Sequence, residues 1–178
     1  AIAAGLHSTM EYEAYTRMLV SRPVFPMGKD IGYLPGDIED KLKPWMQPIF
    51  DNMDLLISSH DSKKKKSKDY HEFLEMGIVD IEPLTYIRGR SIPNQYILVD
   101  EAQNLTSLEI KTIVTRAGTG TKIVFTGDPY QIDNPYVDSS SNGLSVLVEK
   151  FKNEEISAHV LLKKGERSEL AEKAANLL

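Results

Sequence analysis

Two acidic sites draw notice because each closes an apolar run. Tyr96–Val99 (YILV) is followed at once by Asp100 and Glu101, and Lys122–Thr126 (KIVFT) by Gly127 and Asp128. Short apolar runs of this kind read as buried strands. In open parallel sheets, ligands bind at the carboxyl ends of the strands. Carboxylates placed there suit Mg2+, which prefers oxygen ligands and keeps several of its own waters. In such a site Asp100 holds the ion through its water shell, and Glu101 orients a water that attacks a terminal phosphate. The same two acids would also serve simply to cap the next helix, because negative charge is favoured at helix N-termini. Asp-Glu after a strand does not by itself decide between the two.

Positioning these groups takes alternating strands and helices. Residues 1–13 read as a helix and Arg17–Ser21 (RMLVS) as a buried strand, followed by a long loop punctuated by Pro23, Pro26, Gly28, Gly32, Pro35 and Gly36. Asp37 then suits the N-cap of a helix whose apolar stripe runs through Ile38, Leu42, Trp45, Met46, Ile49, Phe50, Met53, Leu56 and Ile57. Pro44 and Pro48 are expected to interrupt or kink it. Lysines 63–66 and 68 repel one another and predict a solvated, flexible loop over residues 58–69. Next come a helix over Tyr70–Met76 ended by Gly77, a strand over Ile78–Ile81, and a helix over Thr106–Ala117. Thr106 or Ser107 caps that helix and Gly118 stops it. Lys122–Thr126 is expected as a buried strand and residues 134–143 as a mobile loop. A helix over Leu144–Phe151, a strand over His159–Leu162 and a helix over Ser168–Leu178 complete the chain. Apolar strands alternating with helices imply an α/β domain over residues 1–178, with a parallel sheet flanked by helices. The order of its strands is not legible from the sequence.

Composition narrows the classes. With 178 residues the chain suits a single domain. Hydrophobic residues at 41% and charged residues at 26% exclude wholesale disorder and fibrous character. The lack of cysteine excludes disulfide scaffolds, thiolate zinc sites and cysteine nucleophiles, and is compatible with a reducing cytoplasm. Four histidines at no ligand spacing give no case for a structural metal. A formal charge of −5 argues against a nucleic-acid coat protein but leaves room for a local basic groove. No apolar run approaches the ~20 residues of a membrane span. The first residues, AIAAGLH, lack the basic region of a signal peptide.

The residues after the first acidic pair sharpen the reading. Asp100-Glu101-Ala102-Gln103 continues into Asn104, and Thr126-Gly127-Asp128-Pro129-Tyr130-Gln131 closes the second run. These stretches resemble the DEAQ and GD-x-x-Q motifs of superfamily-one helicases and their P-loop relatives, with Asp100-Glu101 as a Walker B pair. Residues 21–23 (SRP), 30–37 (DIGYLPGD), 43–48 (KPWMQP), 88–90 (RGR), 115–118 (TRAG) and 126–133 (TGDPYQID) resemble the PhoH-like ATPases. Residues 164–170 (KGERSEL) resemble the branch in which such an ATPase follows an N-terminal PIN nuclease domain.

That resemblance implies a RecA-like P-loop NTPase core carrying out Mg2+-dependent ATP hydrolysis coupled to nucleic acid, with single-stranded RNA that is unwound or translocated. It implies Asp100 at the metal, Glu101 at the attacking water, and Gln131 with Arg167 at the γ-phosphate. Asp128 and Gln103 join the nucleotide site, and Arg167 acts as an arginine finger within its own chain or in a neighbour. Arg88 and Arg90, on either side of Gly89, suit bidentate contact with the phosphates of nucleotide or of a nucleic-acid backbone, or else a solvated loop or a structural ion pair. Arg22 would contact single-stranded nucleic acid, or serve as a turn residue held by Pro23. The implied partners are nucleic acid, copies of the same chain in a hexameric ring, and an upstream PIN domain, in the cytoplasm and away from membranes. The rival reading is an ATP-regulated oligomeric scaffold without motor activity. One departure stands against these matches: the chain holds no G-x-x-x-x-G-K-[ST] loop, the Walker A segment whose backbone N–H groups and Lys cradle the phosphates. In the family that loop leads into a helix much like Ala1–Leu6. The expectation is therefore a chain that starts just after it, lacks the P-loop segment and binds nucleotide poorly by itself.

Overall fold

A computed structural model describes residues 1–23, 38–60, 70–87, 89–162, 168, 170 and 173. It comprises two compact units, residues 1–147 and 148–178. The first unit is built on a four-stranded sheet of β1 (Arg17–Ser21), β2 (Val79–Ile81), β3 (Gln95–Val99) and β4 (Lys122–Phe125), in the order β2-β1-β3-β4. Every pairing is parallel, with Ser21 opposite Val99 and Val99 opposite Phe125. β1 and β3 are buried on both faces, which is why they read as unbroken apolar runs. Helices α1 (Ile2–Met10), α2 (Ile38–His60), α3 (Tyr70–Glu75), α4 (Ser107–Val114) and α5 (Gly143–Phe151) lie before, between and after the strands, with α2 and α3 both between β1 and β2 and only a 3-10 turn (Leu84–Ile87) between β2 and β3. The result is an α/β fold with an all-parallel sheet flanked by helices, as in RecA-like P-loop NTPases.

Alternation along the strands makes two cores. Met18, Val20, Tyr96 and Leu98 pack on one face with Leu6 of α1, Ile49 and Met53 of α2, and Phe73 of α3. Leu19, Ile97 and Val99 pack on the other with Ile110 and Ile113 of α4 and with Ile87, Ile92 and Leu105. The close approach of α1 to the sheet requires Gly5, where an added Cβ would lie 2.7 Å from both Met18 Sδ and Tyr96 Cε1.

Several expectations are corrected. α2 runs through both prolines without the interruption that was one of the two outcomes expected of them. Its buried stripe of Met46, Ile49 and Met53, at about 1.5–3 kcal/mol for each large apolar side chain, is of the size needed to offset ~3 kcal/mol for each of the two internal prolines, and Asn52 Nδ2 donates to the Pro48 carbonyl at 2.6 Å. β4 is half-buried rather than buried, because among the described residues it pairs on one side only, with β3. α4 stops at Val114, short of Ala117, because residues 116–118 bond sideways instead. Ile92 N–H donates to the Arg116 carbonyl, and Gly118 N–H to the Ile92 carbonyl, both at 2.9 Å. Of the expected flexible loop over 58–69, residues 58–60 are the last turn of α2 and 61–69 lie outside the described residues.

In the second unit, α5 ends in turns closed by Glu154 and Ser157, which donate to the Phe151 and Glu154 carbonyls. His159–Leu162, expected as a strand, has no strand pairing, and Val160, Leu161 and Leu162 are exposed. An apolar run becomes a strand only where another strand accepts its backbone groups, and none does here among the described residues. The expected final helix lies outside the described residues except for Ser168, Leu170 and Lys173, of which the last two are helical. Among the described residues no helix is long and apolar enough to cross a membrane.

Leu98 is 1% exposed at the centre of the first core. Leu98→Ala is expected to cost about 2–5 kcal/mol, measured as a lowered urea midpoint with an unchanged denaturant slope.

Candidate functional site at the strand ends

The site forms where β1, β3 and β4 end together. β3 keeps its ladder with β1 one residue past its end, through Asp100 N–H to the Ser21 carbonyl at 3.0 Å. It then transfers to β4, through Ala102 N–H to the Thr126 carbonyl at 2.9 Å. Glu101 is the hinge between those two bonds and takes a left-handed conformation, φ 53°. That backbone is uncommon for a residue with a side chain and costs of order 1–3 kcal/mol. The ladders on either side hold it there.

Gln103 links the two acidic motifs. It sits on a single 3-10 turn, Ala102–Asn104, and is 0% exposed. Its Nε2 donates to Glu101 Oε2 at 2.6 Å and to the Gln131 carbonyl at 2.8 Å, and its Oε1 accepts from Asp128 N–H at 3.2 Å. Both its donor hydrogens and its carbonyl are thus spent on the protein. Gln103 therefore shapes the site expected for it through its neighbours. Gly127 makes room for this amide: a Cβ there would come within 2.4 Å of Gln103 Oε1. Gln131 in turn donates through Nε2 to Asp128 Oδ2 at 2.6 Å, and Tyr130 N–H donates to Asp128 Oδ1 at 3.0 Å.

Asp100 accepts from the Thr126 hydroxyl at 2.7 Å through one oxygen, and the other lies 3.9 Å from Arg22 Nη1. Arg22 makes its shorter contact with Glu101, Nη2 to Oε1 at 2.9 Å. The structure thus brings together Arg22, Asp100, Glu101, Gln103, Asp128 and Gln131. Arg90 pairs instead with Glu82 at 2.8 Å. Arg88 and Arg167 lie outside the described residues. Among the described residues no group of three metal-binding side chains forms. A Mg2+ that retains most of its waters needs only one or two carboxylates beside phosphate oxygens. Asp100, with one oxygen free of short contacts, fits that demand.

Two contributors escaped sequence reasoning. Thr126 reaches Asp100 only because β4 pairs with β3. Asn104 anchors the segment after Gln131: its Oδ1 accepts from Asp133 N–H (2.7 Å) and Asn134 N–H (3.1 Å), and Asn134 Nδ2 donates back to its carbonyl at 2.8 Å. The only signal was its place directly after Asp-Glu-Ala-Gln. Residues 134–143, expected to be mobile, are laced by side chains instead. Asp138 Oδ1 accepts from the Ser140 N–H, the Ser140 hydroxyl and the Ser141 N–H, each within 2.8 Å. Asn142 caps α5 by accepting from Ser145 N–H at 2.9 Å. α4 is likewise closed by a capping box between Thr106 and Glu109.

A parallel sheet with an acidic pair at one strand end and an Asp–Gln pair at the next is consistent with the P-loop NTPase class. The chain belongs to the PhoH-like family, whose model, described as PhoH-like protein, matches residues 1–178. It is 56% identical to a protein of Bacillus subtilis called Protein PhoH2 and 36% identical to a Protein PhoH2 of Mycolicibacterium smegmatis. Each match covers 100% of this chain and 39% of the relative. A PhoH-like protein, also of Bacillus subtilis, is 36% identical across 76% of the chain and 40% of its own length. The chain thus spans well under half the length of these relatives. Membership in the family supports nucleotide binding.

Gln103→Leu removes an amide that serves three buried or half-buried groups. The loss is expected to destabilise the domain by about 1–3 kcal/mol, read by urea unfolding. The Asp138 carboxyl is held down to about 2, first by the Ser140 hydroxyl and then by the Ser140 and Ser141 backbone N–H groups. Its ordinary value is 3.8. A depressed carboxyl stabilises the fold fully above the ordinary value, and that contribution is lost as pH falls through about 2. NMR titration of the Asp138 carboxyl should find this low midpoint, and Ser140→Ala should raise it.

Proposed function

We propose that the protein of which this chain is a part hydrolyses ATP with Mg2+ and couples the reaction to single-stranded RNA. The observation that carries the reading is the joining of the two motifs by one buried amide. Gln103 ties Glu101, Asp128 and Gln131 into a single rigid group at the strand ends. Such preorganisation is what a site for phosphoryl transfer needs, because there the protein contributes mainly positioning and electrostatics.

In this reading Asp100 holds the Mg2+, which when bound neutralises charge on the phosphates. Glu101 orients the attacking water and receives its proton at a carboxylate oxygen. Gln131, on the turn fixed by Asp128, senses the γ-phosphate, and Arg167 supplies charge to it from the same chain or from a neighbour in a hexameric ring. Arg88 and Arg90 would meet an RNA backbone, with a PIN nuclease domain as the expected consumer of the delivered strand, in the cytoplasm.

The test is Mg2+-dependent phosphate release by the full-length protein, with and without single-stranded RNA. RNA-stimulated release is expected. Nucleotide-dependent ring formation without release would replace the motor with a scaffold. Glu101→Gln in the same protein is expected to lower turnover at least about 10²-fold, the scale of general-base catalysis, while ATP binding persists.

A further inference from the structure

Arg22 was expected at a nucleic-acid phosphate, but its guanidinium lies against the two acids of the site. Nη2 donates to Glu101 Oε1 at 2.9 Å, and Nη1 lies 3.9 Å from Asp100 Oδ2. With Gln103 Nε2 on Oε2 at 2.6 Å, both oxygens of Glu101 are engaged by protein donors. Two donors at two oxygens fix the plane of a carboxylate. Gln103 is wholly buried and held by three hydrogen bonds. The Arg22 side chain is 21% exposed and follows directly on the end of β1, so its guanidinium is the donor that an incoming group can reach.

A half-buried guanidinium does not leave a carboxylate without a replacement, since an unpaired charge there is costly. The group best matched to its planar fork is a phosphate oxyanion, which accepts two parallel N–H bonds and carries as much charge as the carboxylate or more. We propose that Arg22 is a phosphate-responsive latch on Glu101, and thus a positioning residue. Without phosphate it holds Glu101 Oε1; a phosphate oxyanion takes the guanidinium and frees that oxygen for the attacking water. Glu101 stays anchored by Gln103 throughout, so release changes its orientation without loosening the site. The oxyanion belongs either to an RNA backbone or to the γ-phosphate of ATP. This inference rests on the ATPase reading above.

The experiment compares wild-type, Arg22→Ala and Arg22→Lys full-length proteins. Phosphate release is measured with and without a single-stranded oligoribonucleotide. Fluorescent ATP and ADP analogues report nucleotide affinity independently of turnover. If the backbone phosphate is the trigger, Arg22→Ala raises RNA-free kcat at least about fivefold, the low end of ordinary coupling, and the stimulation ratio falls to about one. If the γ-phosphate is the trigger, the ratio persists, but ATP affinity falls at least about fivefold while ADP affinity does not. Arg22→Lys keeps the charge without the fork and should show the same change to a smaller degree, which guards against misfolding of the alanine variant. A fall in kcat with an unchanged stimulation ratio and unchanged ATP and ADP affinities would overturn the latch and leave Arg22 as simple support for Glu101. Failure of the wild type to release phosphate would overturn the ATPase reading instead.

Discussion

Parallel pairing of β3 with β1 on one side and β4 on the other is the constraint from which the site follows. In a parallel sheet all strands point the same way, so their carboxyl ends share one edge. The registers place Ser21, Val99 and Phe125 abreast. The next residues of each strand, Arg22, Asp100 and Thr126, are therefore neighbours despite lying far apart in sequence. The contacts that cross between strand ends, from Arg22 to Glu101, from Thr126 to Asp100 and from Gln103 to Asp128 and Gln131, are downstream of that alignment.

What the ladder aligns, a few side-chain amides make rigid. Gln103 and Asn104 occupy one 3-10 turn, yet they hold different things. Gln103 gathers Glu101, Asp128 and Gln131, while Asn104 fixes Asp133 and Asn134. A primary amide suits such a place because it offers two donors and an acceptor without a charge that burial would penalise. The strained backbone of Glu101 is tolerated because ladder bonds flank it on both sides. Strain held by its surroundings in this way is common at functional sites.

Departures from expectation share one cause: local pattern competing with tertiary partners. Pro44 and Pro48 are expected to interrupt or kink a helix, and burial of Met46, Ile49 and Met53 keeps α2 uninterrupted. His159–Leu162 has strand chemistry and no strand to pair with among the described residues. The polar run over residues 134–143 resembles a loose loop, yet Asp138, which accepts from the Ser140 N–H, and Asn142, which donates to the Asp138 and Ser139 carbonyls, satisfy its backbone locally. Short polar side chains do this readily, and their composition looks the same whether or not they do.

The order of residues along the chain was enough to determine the α/β class, β1 and β3 to within a residue, and which acids follow the ends of β3 and β4. Apolar runs that end in carboxylates, and the motif Asp-Glu-Ala-Gln, are local facts. Only the tertiary structure decided the strand order, the half-exposed position of β4, the reach of Thr126 to Asp100, and the pairing of Arg22 with Glu101. The reason is physical. Spacing along a chain reports which face of an element a residue occupies, whereas the neighbour across a sheet depends on a register chosen by the packing of both faces at once.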